Sequence, residues 1–271
     1  MNGASREALA AARERLDALT DSTSVDAAQL ADELAAVTAL LDREVSLRRV
    51  LTDPAQAGEA KAELAQRLLG GQVSGESADL LAGMVRSRWS QSRDLVDALE
   101  ELADTADLTA AQKAGTLDDV EDELFRFGRI VSSSTELRAA LTDRSAAKAA
   151  KGELLRSLLG GRAKATTERL VTRLVTAPRG RSLESGLESL SKLAAERRER
   201  MVAVVTSAVP LSDVQKRRLG AALAKLYGRA MHLNLDVDPE VVGGIRVQVG
   251  DEVINGSLAD RIEDAGRRLT S

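Results

Sequence analysis

The feature that most limits how this chain can fold is a duplication. Leu47 to Gly71 reads LRRVLTDPAQAGEAKAELAQRLLGG, and Leu137 to Gly161, ninety positions on, reads LRAALTDRSAAKAAKGELLRSLLGG, with 14 of 25 positions identical. About two or three matches would arise by chance in so Ala- and Leu-rich a chain, so a fixed-period repeat of one supersecondary unit is the reading. Upstream, Ala27, Leu30, Leu34, Val37 and Leu41 correspond to Leu117, Val120, Leu124, Phe127 and Val131. Both sets keep the three-and-four spacing of a one-sided amphipathic helix. Downstream, Leu80, Leu81 and Val85 match Leu170, Val171 and Val175; two residues are then lost, and Leu95, Leu99 and Leu102 match Leu183, Leu187 and Leu190. Each copy is a run of short helices parted by Gly, Pro and Asp turns.

Leu9, Ala12 and Leu16 lie ninety positions before Leu99, Leu102 and Ala106. The helix closing the first copy therefore resembles the helix opening the second, and a shared or closely abutting helix is expected at the junction. The expected division is a first bundle over 1–107, a second over 95–200 and a different domain over 201–271.

Composition narrows the function classes. Cysteine is absent, and no charged, apolar, small-residue signal segment opens the chain, so a reduced cytoplasmic compartment is expected. No apolar run approaches the roughly 20 residues of a membrane span. The net charge of -4 gives no broad electrostatic hold on nucleic acid. The aromatic residues are Trp89, Phe125, Phe127 and Tyr227, too few for base-stacking platforms. The cores must be filled by Leu, Val and Ala, which suits close helix packing.

The last 71 residues change character. Val202, Val204 and Thr206 alternate; Pro210 ends that strand, and Ser212 to Gln215 has the form of a capping box before a helix running to about Tyr227. Leu233, Leu235 and Val237 alternate with Asn234, Asp236 and Asp238, the period of a strand with one buried face. After Gly243-Gly244, Ile245, Val247 and Val249 alternate again, and Gly250-Asp251 turns the chain into Val253-Ile254. Asn255-Gly256-Ser257 ends the sheet, with Ser257 as N-cap of a final helix carrying Leu258, Ile262, Ala265 and Leu269 on one face. The fold class expected is mostly α: two tandem helical bundles followed by a small β-α-β-β-α domain.

Asp238-Pro239, Gly243-Gly244, Gly250-Asp251 and Gly256-Ser257, in that order before an amphipathic helix, resemble the C-terminal signature of the delta subunit family of F-type ATP synthases, also called the oligomycin-sensitivity-conferring protein. Asn255 stands where that family usually has Asp. The second copy, with LDDVEDELFRFGRIVSSSTELRAAL from Leu117 to Leu141, looks like the family's helical bundle, while the first copy is an addition to the usual plan. The resemblance implies a non-catalytic peripheral-stalk subunit without cofactor. It would be present once per complex, peripheral on the cytoplasmic face of the bacterial plasma membrane. Its implied partners are the N-terminal segments of the alpha subunits, bound by the bundle, and the b subunit, bound by the C-terminal domain. The groove implied for alpha lies between the first and fifth helices of a bundle, which in the second copy points to Leu99 and Leu102 on one wall and Leu170 and Leu174 on the other. From the residues alone, a general cytoplasmic helical adaptor is the alternative.

Other signals favour structural readings. His232, without Cys or a second His, reads as a packed or rim residue. Asp236, Asp238 and Asp251-Glu252 read as strand-end residues ahead of an oxygen-rich cation site. Gly70-Gly71 and Gly160-Gly161 follow Leu-Leu pairs and read as helix ends closed by left-handed Gly; Gly243-Gly244 lacks the Lys-Ser or Lys-Thr of a nucleotide loop. Trp89 reads as core or bundle rim, with an exposed anchor beside Arg86, Arg88 and Arg93 as the alternative. Glu196 to Arg200 reads as the solvated end of a helix.

Overall fold

The computed structural model describes residues 2–21, 25–199, 202–227, 231–238, 244–249 and 252–255. The chain divides into two units, Met1–Ala194 and Ala195–Ser271. Both bundle copies fall within the first, except for the last residues of the second copy's final helix, Ala195–Glu199.

The duplication is visible helix by helix. After α1 (Gly3–Asp21), the first copy runs α2 (Ala27–Arg43), α3 (Val45–Thr52), α4 (Gly58–Leu69), α5 (Gly75–Arg86) and α6 (Ser92–Lys113). The second runs α7 (Leu117–Ser133), α8 (Thr135–Thr142), α9 (Lys148–Leu159), α10 (Ala165–Thr176) and α11 (Leu183–Glu199). Asp26 caps α2 by accepting from the N–H groups of Ala28 and Gln29, and the helix buries Leu30, Leu34, Val37 and Leu41. Its counterpart α7 buries Leu117, Val120, Leu124, Phe127 and Val131. Both short third helices end in the same Asx turn, Asp53 accepting from Ala55 N–H and Asp143 from Ser145 N–H.

α6 is the helix that the register placed in both copies, and it packs on α1, α2 and α3 as well as on α7 and α10. Because neighbours cover it on several sides, its burial runs round much of the helix: Leu95, Leu99, Leu102 and Leu108 are all fully enclosed. Each such leucine contributes roughly 1.5–3 kcal/mol by leaving water, so the middle of the helical unit is its most strongly held part.

The two glycine pairs agree at their first residue and differ at their second. Gly161 takes a left-handed backbone, φ +69°, as expected of a helix end, whereas its counterpart Gly71 is not left-handed. Gly70 and Gly160 both have negative φ, -62° and -57°. Their smallness is needed for another reason: a Cβ would lie 2.6 Å from the Gln66 carbonyl oxygen in the one and 2.5 Å from that of Arg156 in the other. Trp89 is core, 4% exposed, and its Nε1–H donates to the Met84 carbonyl at 2.8 Å.

In the second unit a mixed sheet has the order β2-β1-β3-β4. β1 (Val202–Ser207) is central, parallel to β2 (His232–Val237) and antiparallel to β3 (Ile245–Val249), which pairs antiparallel with β4 (Glu252–Asn255). α12 (Asp213–Tyr227) connects β1 to β2. Its start is the expected capping box: Gln215 Oε1 accepts from Ser212 N–H and Oγ, and Ser212 Oγ accepts from Gln215 N–H. Val205 stands opposite Leu235 on one side and Val247 on the other, so the apolar positions of three strands share a face. Ala203, Val205, Leu223, Val247 and Val249 form the core there.

Two details differ from the sequence reading. The arm after Gly250-Asp251 is a strand in its own right, making four strands. The apolar face of β2 is covered at Leu233 but open further on, with Leu235 36% and Val237 45% exposed. His232 lies in β2. The final helix expected from Leu258 lies outside the described residues.

Candidate functional site

The sequence placed a partner groove between α6 and α10, and those helices do adjoin. The groove is shut. Leu99 and Leu102 are 0% exposed, Leu170 1% and Leu174 4%, so a partner could touch them only by opening the bundle. Three-and-four spacing marks an apolar face without telling whether the chain's own helices or a partner cover it. Close packing goes further at Gly186 on α11, where a Cβ would overlap the Leu174 side chain.

What joins α10 to α6 besides leucines is a buried set of ions. Arg173 on α10 reaches Asp104 with Nη1 at 2.6 Å and Asp107 with Nη2 at 2.7 Å. Arg169, one turn earlier, meets Asp107 at 2.8 Å and continues to Asp32 on α2 at 2.6 Å, while also donating to the Ala28 carbonyl. One cluster therefore ties α10 of the second copy to α6 and to α2 of the first copy. Burial pushes the Asp104 carboxyl up to about 7, with Glu100 and Asp107 adding to it against the pull of Arg173. Asp107 is likewise raised by burial, opposed by Arg173 and Arg169. In the first copy the positions matching Arg169 and Arg173 are Asp79 and Gly83; the cluster belongs to the junction alone. A second ionic knot lies nearer the start of α6, where Glu100 receives both Arg179 and Arg181 from the loop before α11.

A carboxylate staple recurs in both copies. Glu33 on α2 accepts from Ser74 N–H at 3.0 Å and from the Ser74 and Ser77 hydroxyls at 2.6 Å each, at the N-terminus of α5. Ninety positions on, Glu123 accepts from Lys164 N–H at 2.9 Å and the Thr167 hydroxyl at 2.5 Å, at the N-terminus of α10. An anion at a helix N-terminus satisfies orphan N–H groups and meets the positive end of the dipole. Although burial opposes it, the three bonds from Ser74 and Ser77 and one from Gln29 hold the Glu33 carboxyl below the usual range. Sequence reasoning passed over the pair, yet the repeat alignment sets Glu33 on Glu123 and Ser77 on Thr167.

Open surface lies elsewhere. Between α7 and α11 a groove of about 890 Å³ is lined by Leu124, Phe125, Ile130 and Leu187 among others. Phe125 is 60% and Ile130 53% exposed there.

Of the C-terminal signature, Asp238 and Gly244 are described. Asp238 N–H donates to the Ser207 carbonyl at 3.0 Å, tying the end of β2 to β1. Gly244 has φ +81°, a left-handed conformation that L side chains adopt only with strain. Pro239, Gly243, Gly250, Asp251, Gly256 and Ser257 lie outside the described residues. Among the described residues no group of three His, Asp or Glu side chains is placed to hold a metal ion, and no helix is long and apolar enough to cross a membrane.

Two tandem helical bundles, tied by buried ions between α10, α6 and α2 and followed by a small α/β unit, define a helical scaffold. The chain belongs to the ATP synthase delta (OSCP) subunit family, whose pattern matches residues 105–269. It is 86% identical to the ATP synthase subunit delta of Streptomyces coelicolor over 271 residues, covering 100% of this chain and 99% of that one. The corresponding protein of Thermobifida fusca is 49% identical over 99% of both chains. That of Kineococcus radiotolerans is 46% identical over 98% of this chain and 97% of its own. These relatives align with the first bundle copy as well as the second. A chain of the Toxoplasma gondii mitochondrial ATP synthase hexamer is 20% identical, with a TM-score of 0.33 over 62% of this chain and 95% of that one.

Proposed function

We propose that this protein is the non-catalytic peripheral-stalk subunit of a proton-translocating F-type ATP synthase. It works as three parts, 1–107, 95–200 and 201–271, with the first helix of the second part shared. One copy per complex joins the alpha subunits of the catalytic head to the b subunit, peripherally at the cytoplasmic face of the bacterial plasma membrane. Proton-driven rotation exerts a reaction torque on the head, and the subunit resists it without bond chemistry. The observation that carries this reading beyond family membership is the build of α6: 22 residues, about 33 Å at 1.5 Å per residue, buried along its length and bound to α10 and α2 through the Asp104, Asp107, Arg169 and Arg173 cluster. Such a helix passes load between the copies with little give, because a close-packed interior has low compressibility.

The alpha contact is assigned to the α7–α11 groove in place of the closed α6–α10 seam, since an amphipathic helix needs an open apolar trough to enter. Calorimetric titration of a synthetic alpha N-terminal peptide into the full chain tests this. Saturable binding that is lost on Phe125→Asp and kept on Arg43→Glu is expected. Undiminished binding by Phe125→Asp would remove the groove, and no binding by the native chain would remove the alpha contact.

A further inference from the structure

The second copy holds a cavity of about 790 Å³ between α8, α9, the end of α10 and the loop leading to α11. Leu141, Leu174, Val175 and Leu183 supply an apolar floor, and five cations stand around it: Arg138, Arg144, Lys148, Lys151 and Arg181, against Glu184 as the acidic member of the lining. Arg138 and Glu184 approach to 3.8 Å and Arg181 is held by Glu100, leaving Arg144 and Lys148 in excess over the carboxylates of the lining.

The duplication explains why space opens here. In the first copy Gly58 begins α4 hard against the end of α5, where a Cβ would lie 3.0 Å from the Arg86 carbonyl oxygen and 3.2 Å from its Cα. Glu59 then straps the two helices together through Arg86 at 2.9 Å. The second copy has Lys148, Ala149 and Thr176 at those three positions. A lysine cannot occupy the glycine's place without meeting backbone, and the strap has neither of its charges. The paired arginines also differ in duty. Arg48 turns inward and donates to the Leu41 and Asp42 carbonyls at the end of α2, while its counterpart Arg138 lines the cavity. The same sequence frame thus gives a strapped corner in one copy and a cationic cavity in the other.

We propose that this cavity is a docking site for an acidic segment of a partner protein, which places one apolar side chain on the floor and sets its carboxylates among Arg138, Arg144 and Lys148. The volume lies in the range of specific pockets, roughly 300–1,000 Å³. Arginine forks suit carboxylates in paired hydrogen bonds. An excess of one sign over an apolar floor selects a partner that is both anionic and apolar.

The test uses the full chain and a fluorescein-labelled octapeptide with a central Leu flanked by Glu, followed by anisotropy. Saturable binding that weakens with salt is expected, at least tenfold weaker for Arg144→Glu/Lys148→Glu and unchanged for the distant Arg43→Glu. The decisive variant copies the first bundle's closure, Lys148→Gly/Ala149→Glu/Thr176→Arg. It should abolish peptide binding while the far-ultraviolet dichroism and Trp89 emission stay native. If that variant misfolds, the charge-reversal pair decides. No saturable binding by the native chain, or equal binding by the charge-reversed chain, overturns the proposal. So does displacement of the peptide by millimolar inorganic phosphate with phosphate alone raising the melting temperature, which would make the cavity a small-anion site. None of these outcomes depends on the alpha contact at the α7–α11 groove.

Discussion

Replacing Asp107 by Ala should loosen the helical unit more than its single position on one helix suggests. The Asp107 side chain is 2% exposed and holds Arg173 at 2.7 Å and Arg169 at 2.8 Å. Without it Arg173, whose side chain is 16% exposed, keeps only Asp104, and Arg169 keeps Asp32 in a far more solvated pairing. Breaking one partner from a buried ion cluster costs about 3–5 kcal/mol; because Arg173 retains Asp104, the lower end, about 3 kcal/mol, is expected at pH 8. Replacing the three together, Asp104→Leu and Asp107→Leu with Arg173→Met, leaves no buried charge stranded between α6 and Arg173 and should recover more than about 1 kcal/mol relative to the single change. Trp89 makes the assay specific: it is the chain's one tryptophan and it sits in the core of the helical unit. Its emission during urea unfolding therefore reports that unit and not Ala195–Ser271. A loss below about 1 kcal/mol for Asp107→Ala, or no coupling in the cycle, would refute the claim that the cluster carries the joint.

The same cluster sets a pH dependence. With its carboxyl raised to about 7 from an ordinary 3.8, Asp104 binds a proton more readily folded than unfolded between those values. Its stabilising contribution is complete below about 4 and is lost as pH rises through 7. Asp104→Asn should flatten the fall in urea midpoint between pH 5 and 8, and an unchanged profile would assign that fall to other groups. Glu33 has the opposite sign. Its lowered carboxyl contributes above the ordinary value of 4.5 and ceases to as pH falls through the folded value. Glu33→Ala should cost about 2 kcal/mol at pH 7 through its lost charge-assisted bonds and markedly less at pH 3, read again by Trp89 emission; equal losses at both would count against the staple.

How much of this was legible follows from the range of each interaction. The amphipathic spacings, the capping box at Ser212 and the strand alternations are local, and among the described residues the helices and strands lie where those patterns put them. The Glu33 and Glu123 staples span 41 to 44 residues. They were within reach of the repeat alignment, although helical periodicity gave no sign of them.

The sequence alone determined that one helical unit occurs in two copies, with a shared or closely abutting helix expected where they meet, because hydrophobic period and repeat register are properties of neighbouring residues and of counting. Tertiary structure decided which apolar faces stay open. Leu99 and Leu170 carry the same pattern as a partner-binding stripe, yet the chain's own packing encloses them, while Phe125 and Ile130 on α7 are left in solvent. Only packing could bring Arg169 and Arg173 to aspartates 66 to 137 positions away. Only packing could turn a lysine in place of a glycine into a cavity, since both depend on distances between elements that no local pattern encodes.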